Sequence, residues 1–235
     1  MIMPFTKLRR HVWWYPASPS SRSVQGGVGV IAGKEGSIVV DAGNSPAHAR
    51  RIQSAMDEAG LPKARWLIYT HHHWDHTWGA CAWPDVEIIG HESGKPLLEA
   101  EAALPWSEEF VTERMTADES LRPSYSARAG AVTDWDELTI IPPHRTFSES
   151  LTLPGDVEVR HVGGHHAPDS TIVAVPGSKV MLLGDCFYPP PYNERKPGDQ
   201  PDFAMLRELV SDDYKWYVDS HSPPMRRWRV NRLLR

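Results

Sequence analysis

Trp66-Leu67-Ile68-Tyr69-Thr70-His71-His72-His73-Trp74-Asp75-His76 runs from an apolar, strand-like tetrad straight into a cluster of imidazoles and a carboxylate. Side chains alternate along an extended chain, so a strand that continues into this stretch turns His71 and His73 to one side and His72 to the other. One ion can then take two nitrogens from alternate positions, and His72 is left a spectator. If the chain next coils into a helix, Asp75 and His76 sit in its first turn, where a carboxylate oxygen and an imidazole can be aimed at a second ion. Neutral imidazole suits zinc, iron and their neighbours, and a carboxylate broadens the choice. A solvated His-rich loop would have no use for Thr70, Asp75 and His76 at these offsets.

The flanking sequence is rich in strands. Upstream, Val24 to Ala32 and Ser37 to Val40 read as strands joined by the turn Gly33-Lys34-Glu35-Gly36, an opening hairpin. Ser45-Pro46 starts a helix with Ala49, Ile52, Met56 and Ala59 on one face, and Gly60 followed by Pro62 stops it. Trp66 to Tyr69, Val86 to Ile89, Val157 to Val162, Thr171 to Val175, Val180 to Leu183 and Trp216 to Val218 read as further strands. Two strand-rich halves with helices between them predict an α/β fold, a two-sheet core covered by helices on both faces. The 235 residues give room for one well-buried domain spanning 1–235 and none for a second.

His-x-His-x-Asp-His after a hydrophobic strand resembles the signature of the metallo-β-lactamase superfamily, and the likeness extends along most of the chain. Ser37-Ile38-Val39-Val40-Asp41-Ala42-Gly43 is similar to the family's first landmark, an Asp that ends a strand before the His motif. Gly163-Gly164-His165-His166-Ala167-Pro168-Asp169 resembles the Gly-His turn that supplies a single ligand, and two histidines compete for that role. His166, ten residues before Pro176 as in family members, is taken as the ligand, with His165 as a neighbouring pocket group. Val180-Met181-Leu182-Leu183-Gly184-Asp185-Cys186-Phe187 resembles the strand whose terminal Gly-Asp bridges both metals in the hydrolases. One branch of β-lactamases has a Cys ligand there, so Asp185 and Cys186 offer both chemistries side by side. His221, after Trp216-Tyr217-Val218-Asp219-Ser220, matches the last landmark.

The resemblance implies a four-layer αββα sandwich of two mixed β-sheets flanked by helices. It also implies two divalent ions, zinc first, with iron or manganese compatible. One would be held by His71, His73 and His166, the other by Asp75, His76 and His221, with Asp185 between them. The implied activity is a metal-dependent hydrolase in which a metal-bridging hydroxide cleaves a small carboxylic derivative, whether lactone, thioester, ester or β-lactam amide. Asp75 would also orient the hydroxide as the catalytic residue. The alternatives are a sulfur dioxygenase of the same superfamily with a single iron, and a non-catalytic metal-binding protein.

Composition narrows the partners. Lys and Arg number 25 against 30 Asp and Glu, a net charge of −5, so no overall basic field draws in a phosphate backbone. A small-molecule substrate is expected and nucleic acid is not. Cys81 and Cys186 are too few for a disulfide framework, and Lys7, Arg9 and Arg10 are followed by no apolar signal core. A cytoplasmic protein with free thiols is expected, and no apolar run is long enough to span a bilayer.

Residues 92–143 are the least family-like segment and the expected pocket-forming one, with Trp106, Phe110, Met115, Tyr125 and Trp135 among many acids and a helix from Ser107 to Met115. For any one of those aromatics, ordinary helical packing on the sandwich is the favoured reading. Trp13-Trp14-Tyr15, ahead of the Pro/Ser-rich stretch from Pro16 to Ser23, is either a second pocket wall or a core strand. The arginine-rich tail from Pro223 to Arg235 reads as a solvated basic helix, with an anionic partner as the other reading.

Overall fold

The computed structural model describes residues 5–192 and 194–235. The first half of the chain builds a seven-stranded sheet in simple sequence order: β1 (Thr6–Arg9), β2 (Val12–Tyr15), β3 (Val28–Ala32), β4 (Ser37–Val40), β5 (Ala64–Ile68), β6 (Glu87–His91) and β7 (Arg145–Phe147). Strands β1 to β4 pair antiparallel, and β4 to β7 pair parallel. The parallel crossovers carry α1 (Pro46–Glu58), the single turn α2 (Trp74–Thr77), α3 (Gly94–Ala102), α4 (Glu108–Ala117) and α5 (Arg122–Ala131). The second half forms a six-stranded sheet in the order β13-β12-β11-β10-β9-β8. Its strands are β8 (Ser150–Leu153), β9 (Val157–His161), β10 (Thr171–Val175), β11 (Val180–Gly184), β12 (Trp216–Asp219) and β13 (Met225–Arg226), with α6 (Phe203–Leu209) and α7 (Arg227–Leu233). Only β11 and β12 pair parallel in that sheet.

Alternation along the strands explains the layering. In β5, Trp66 and Ile68 face one side and Leu67 the other; in β11, Val180 and Leu182 oppose Met181 and Leu183. One apolar set meets between the sheets, with Ile38, Val40, Ile68 and Ile89 packed on Val159, Val173, Val175 and Leu182. The outer face of the first sheet packs Val39, Leu67 and Ile88 against Ala49, Ile52 and Met56 of α1, and that of the second packs Met181, Leu183 and Tyr217 against Leu206, Leu209 and Val230. Three apolar layers between helix, sheet, sheet and helix make the α/β four-layer sandwich, as expected. Each fully buried Leu or Ile contributes roughly 1.5–3 kcal/mol.

Several expected boundaries move. The strand read from Val24 begins at Val28. Val24 itself takes a left-handed φ of 39° and belongs to the cavity wall described below. Gly27 can sit there because a Cβ would fall 2.0 Å from the Trp14 ring. Of the aromatic triplet, Trp14 is buried between the sheets and Trp13 and Tyr15 pack on the helical side, so the core reading holds and none of the three lines the cavity. The helix beginning at Ser107 is present as α4, with the Ser107 hydroxyl accepting from the Phe110 N–H as an N-cap. The tail forms β13 and α7, anchored by buried Val230, by Arg226 lying over the Trp216 ring at 4.0 Å and by an Arg227–Asp212 ion pair. Among the described residues, no helix is long and apolar enough to cross a membrane.

Candidate metal centre

The ends of four strands converge at one edge of the sandwich. The chain leaving β4 carries Asp41, that leaving β5 carries His71 and His73, that leaving β11 carries Asp185 and that leaving β12 carries His221. The β9 to β10 connection adds His166. Because β4 and β5 run parallel, as do β11 and β12, each pair delivers its loops to the same side of its sheet. Gly184 makes the approach possible: its φ of +56° lies in the region that favours glycine, and a Cβ would sit 2.7 Å from Thr70 Cβ.

Seven side chains form two groups of potential donors, His71, His73 and His166 in one and Asp75, His76, Asp185 and His221 in the other. Asp185 Oδ2 lies between them, 3.5 Å from His166 Nε2, 3.5 Å from His76 Nε2 and 3.1 Å from His221 Nε2. Asp75 Oδ2 is 3.2 Å from both His76 Nε2 and His221 Nε2.

Hydrogen bonds behind the cluster choose which nitrogen each ring offers. Asp41 accepts from the Thr70 N–H at Oδ1, and from the Thr70 hydroxyl and His76 Nδ1 at Oδ2. The Thr70 hydroxyl, having donated its proton to Asp41, accepts from His71 Nδ1 at 3.1 Å. His166 Nδ1 donates to the Pro189 carbonyl at 2.9 Å. Each of these three rings therefore turns its Nε2 inward, the arrangement by which outer hydrogen bonds orient a metal-binding imidazole. His73 instead brings Nδ1 within 3.0 Å of His166 Nε2. His71 Nε2, His76 Nε2 and Asp185 Oδ1 are buried without any hydrogen-bond partner, which is costly for polar atoms unless a cation meets them. The donor set and these orphaned atoms fit divalent ions.

Electrostatics differ between the groups. Burial, reinforced by neighbouring histidines, pushes His71 and His73 well below the ordinary imidazole pKa, so both are neutral. At His76 and His221 burial acts in the same direction, but Asp75 and Asp185 outweigh it and raise both, His221 to about 10. Burial opposes the charge on Asp75 and Asp185, yet His76 and His221 hold both carboxyls below the usual range.

The neighbours of the motif separate cleanly. His165 points out to solvent near Asp202, whereas His166 is in the cluster. Cys186 is buried in the apolar layer beneath α6, where burial raises its thiol pKa, and it belongs to neither donor group. Cys81 is also a free thiol. His72 stands outside both groups, as the alternation predicts, but it is not idle: its Nδ1 bonds buried Asp169 Oδ1 at 2.8 Å, and it lines the cavity.

A cavity of about 900 Å³ opens over the cluster. One wall is the loop from Ser18 to Gln25, a second is Pro123 to Ala127 of α5, and a third follows Tyr188. The loop is clamped by Asn44, whose side-chain amide donates to the Ser23 and Val24 carbonyls at 3.2 Å each.

The profile of the metallo-beta-lactamase superfamily matches residues 23–221, most of the chain and every donor in the cluster. The chain belongs to the metallo-β-lactamase superfamily. Within it, the chain is similar to the linear primary-alkylsulfatase of Pseudomonas sp. (strain ATCC 19151), with 26% identity over 179 residues, 66% of this chain and 32% of that protein. It thus spans about a third of the length of the curated relative it matches. Among solved structures it is similar to a metallo-β-lactamase from Hirschia baltica (TM-score 0.64, 17% identity, 98% of this chain and 95% of the other). It is also similar to a double mutant of the sec-alkyl sulfatase PisA1 (TM-score 0.67, 15% identity, 99% of this chain and 40% of the other). At these identities the structural likenesses establish the superfamily's fold.

Proposed function

We propose that this protein is a dinuclear metallohydrolase, with zinc as the ion and a small carboxylic derivative, an ester, thioester, lactone or β-lactam amide, as the substrate. The observation that carries the reading is the pair of donor groups with one carboxylate oxygen, Asp185 Oδ2, between them. His71, His73 and His166 would hold one ion and Asp75, His76 and His221 the other, with Asp185 serving both. When bound, such ions bring the pKa of a coordinated water to about 7 and polarise the bond to be cleaved.

The chain's own groups do the rest. His71 and His73 are held neutral by burial, so protons compete weakly for their nitrogens. Asp75 stays ionised and can orient an attacking water through its O–H and carry the proton onward. The α5 wall and the Ser18 to Gln25 loop enclose the substrate and shield it from bulk water. A complete second donor group favours this reading over a single-iron sulfur dioxygenase, and a cavity directly over the cluster favours it over a non-catalytic metal protein.

A second reading, hydrolysis of a sulfate monoester, is favoured by the similarity to the two alkylsulfatases. Apolar cavity positions such as Pro19, Val24, Pro123 and Ala127 would suit an alkyl tail. Inorganic sulfate released from dodecyl sulfate, set against turnover of carboxylic esters and thioesters, separates the two. The common test is metal analysis of protein purified without added metal, with turnover measured before and after a strong chelator. Close to two divalent equivalents per chain and activity lost on chelation are expected. One tightly bound iron, oxygen uptake on a persulfide and no hydrolysis would replace the reading with the dioxygenase.

A further inference from the structure

The aromatic residues Trp106, Phe110, Tyr125 and Trp135 of the 92–143 segment do not line the cavity; two of them, Trp106 and Tyr125, join Trp74 and Trp78 around a cation. The Arg128 guanidinium lies 5.1 Å from the Trp74 ring centre, 5.4 Å from Trp78, 5.7 Å from Trp106 and 5.1 Å from Tyr125. Its Nη1 donates to the Ser124 hydroxyl, and its Nε is buried with no hydrogen-bond partner. Among the described residues no carboxylate comes within ion-pair distance of it, the arginine bridges being those of Arg50, Arg65 and Arg227. Glu101 supplies the opposing charge at longer range while accepting from Trp78 Nε1 at 3.1 Å. The backbone carbonyl of Glu101 accepts from Trp106 Nε1 at 2.8 Å.

Both ends of this arrangement reach the cavity. Trp74 lines it and immediately precedes Asp75 in α2; Ser124 lines it from α5, beside Pro123 and Ala127. We propose that Arg128 is the positioning residue of the substrate cavity, its caged guanidinium fixing the α5 wall against the metal-bearing turn at Trp74 so that an apolar substrate tail is gripped along Pro123 and Ala127. A planar cation suits the role because it offers two π faces to the rings and an in-plane N–H to Ser124, a combination an ammonium cannot reproduce. Desolvation makes an unpaired charge costly here, so the site depends on all four rings remaining in place. The 92–143 segment therefore acts on specificity both as the wall itself, at Pro123 and Ala127, and through the cage behind it.

The inference rests on the metal reading above only in that a loaded centre seats a carboxylate head group. Metal-loaded parent, Arg128→Met and Arg128→Lys are titrated with the straight-chain carboxylates from acetate to decanoate, followed by tryptophan fluorescence, with melting temperature and metal content as controls. In the parent, affinity should rise with each added methylene, ideally about fourfold per group fully buried. Arg128→Met should keep its metal and its acetate affinity within about threefold while losing at least tenfold for decanoate, with Arg128→Lys intermediate. Equal losses for acetate and decanoate, undiminished decanoate binding, or no chain-length dependence in the parent would overturn the proposal. Acetate binding that survives removal of the metal would instead count against the metal reading, so the two failures are distinguishable.

Discussion

The two donor groups share an aspartate and lie against each other, yet they are built on opposite electrostatic terms. The group of His71, His73 and His166 is all nitrogen, and burial drives His71 and His73 neutral. The group of Asp75, His76, Asp185 and His221 carries two carboxylates that keep its imidazoles protonated when nothing else is bound. A cation entering the first meets ready lone pairs, while one entering the second must displace protons and is repaid by two anionic oxygens. Asp185, close to histidines of both groups, would couple two such sites.

Removing that coupling should have the largest effect. Asp185→Asn keeps the shape but replaces the carboxylate shared by the two donor groups with a neutral amide, so we expect binding of a second ion to be weakened and turnover to fall by more than about 100-fold, beyond what loss of an outer hydrogen bond causes. Cys186→Ser, one residue on, should retain metal and most activity because its side chain is packed in the layer beneath α6. Cobalt substitution checks the pair directly. A thiolate-to-cobalt charge-transfer band that disappears in Cys186→Ser would show the thiol to be the ligand.

The next contrast isolates the nitrogen group. His166→Ala removes one of three nitrogens and the ring held by the Pro189 carbonyl, and the first ion should leave while the second stays measurable. His165→Ala should leave metal content near normal, since that ring is in solvent. Metal loss in His165→Ala with retention in His166→Ala would place the wrong ring in the centre.

How much of this was readable from residues follows from how local each signal is. The motif from Thr70 to His76 lies within a few residues, and the strand ends that bring in Asp185 and His221 are written as apolar runs, so the fold and the side chains that gather at the strand ends were legible. The short strands β7 and β8 were not, because their mixed sequences Arg145-Thr146-Phe147 and Ser150-Leu151-Thr152-Leu153 have mostly exposed or half-exposed side chains and carry little pattern. The hidden part of the site consists of pairs far apart in the chain, such as His72 with Asp169 and Asn44 with the Val24 carbonyl. The Arg128 cage belongs with them: Trp106 and Tyr125 stood out as aromatic, but nothing local marked Arg128 as their common partner. Asp41 was legible as a landmark but not as the group that orients both Thr70 and His76.

One more buried histidine, outside both donor groups, gives the smallest effect. His48 is fully buried in α1; its Nδ1 accepts from the Asn44 N–H at 3.3 Å, its Nε2 has no partner, and burial, aided by Arg51, lowers its pKa to about 3. In the unfolded chain an imidazole titrates near 6.5, so between those values the unfolded state binds more protons than the folded one. Stability must then fall as pH drops through that window, by about 2 kcal/mol from pH 7 to pH 5 for this group alone. His48→Asn retains a side-chain acceptor for the Asn44 N–H but cannot titrate. Denaturant melts at both pH values should show a loss on acidification about 2 kcal/mol smaller in the variant than in the parent. Equal losses in the two proteins would mean that His48 takes up its proton without unfolding, and that the Asn44 clamp on the cavity loop is not supported by a neutral imidazole.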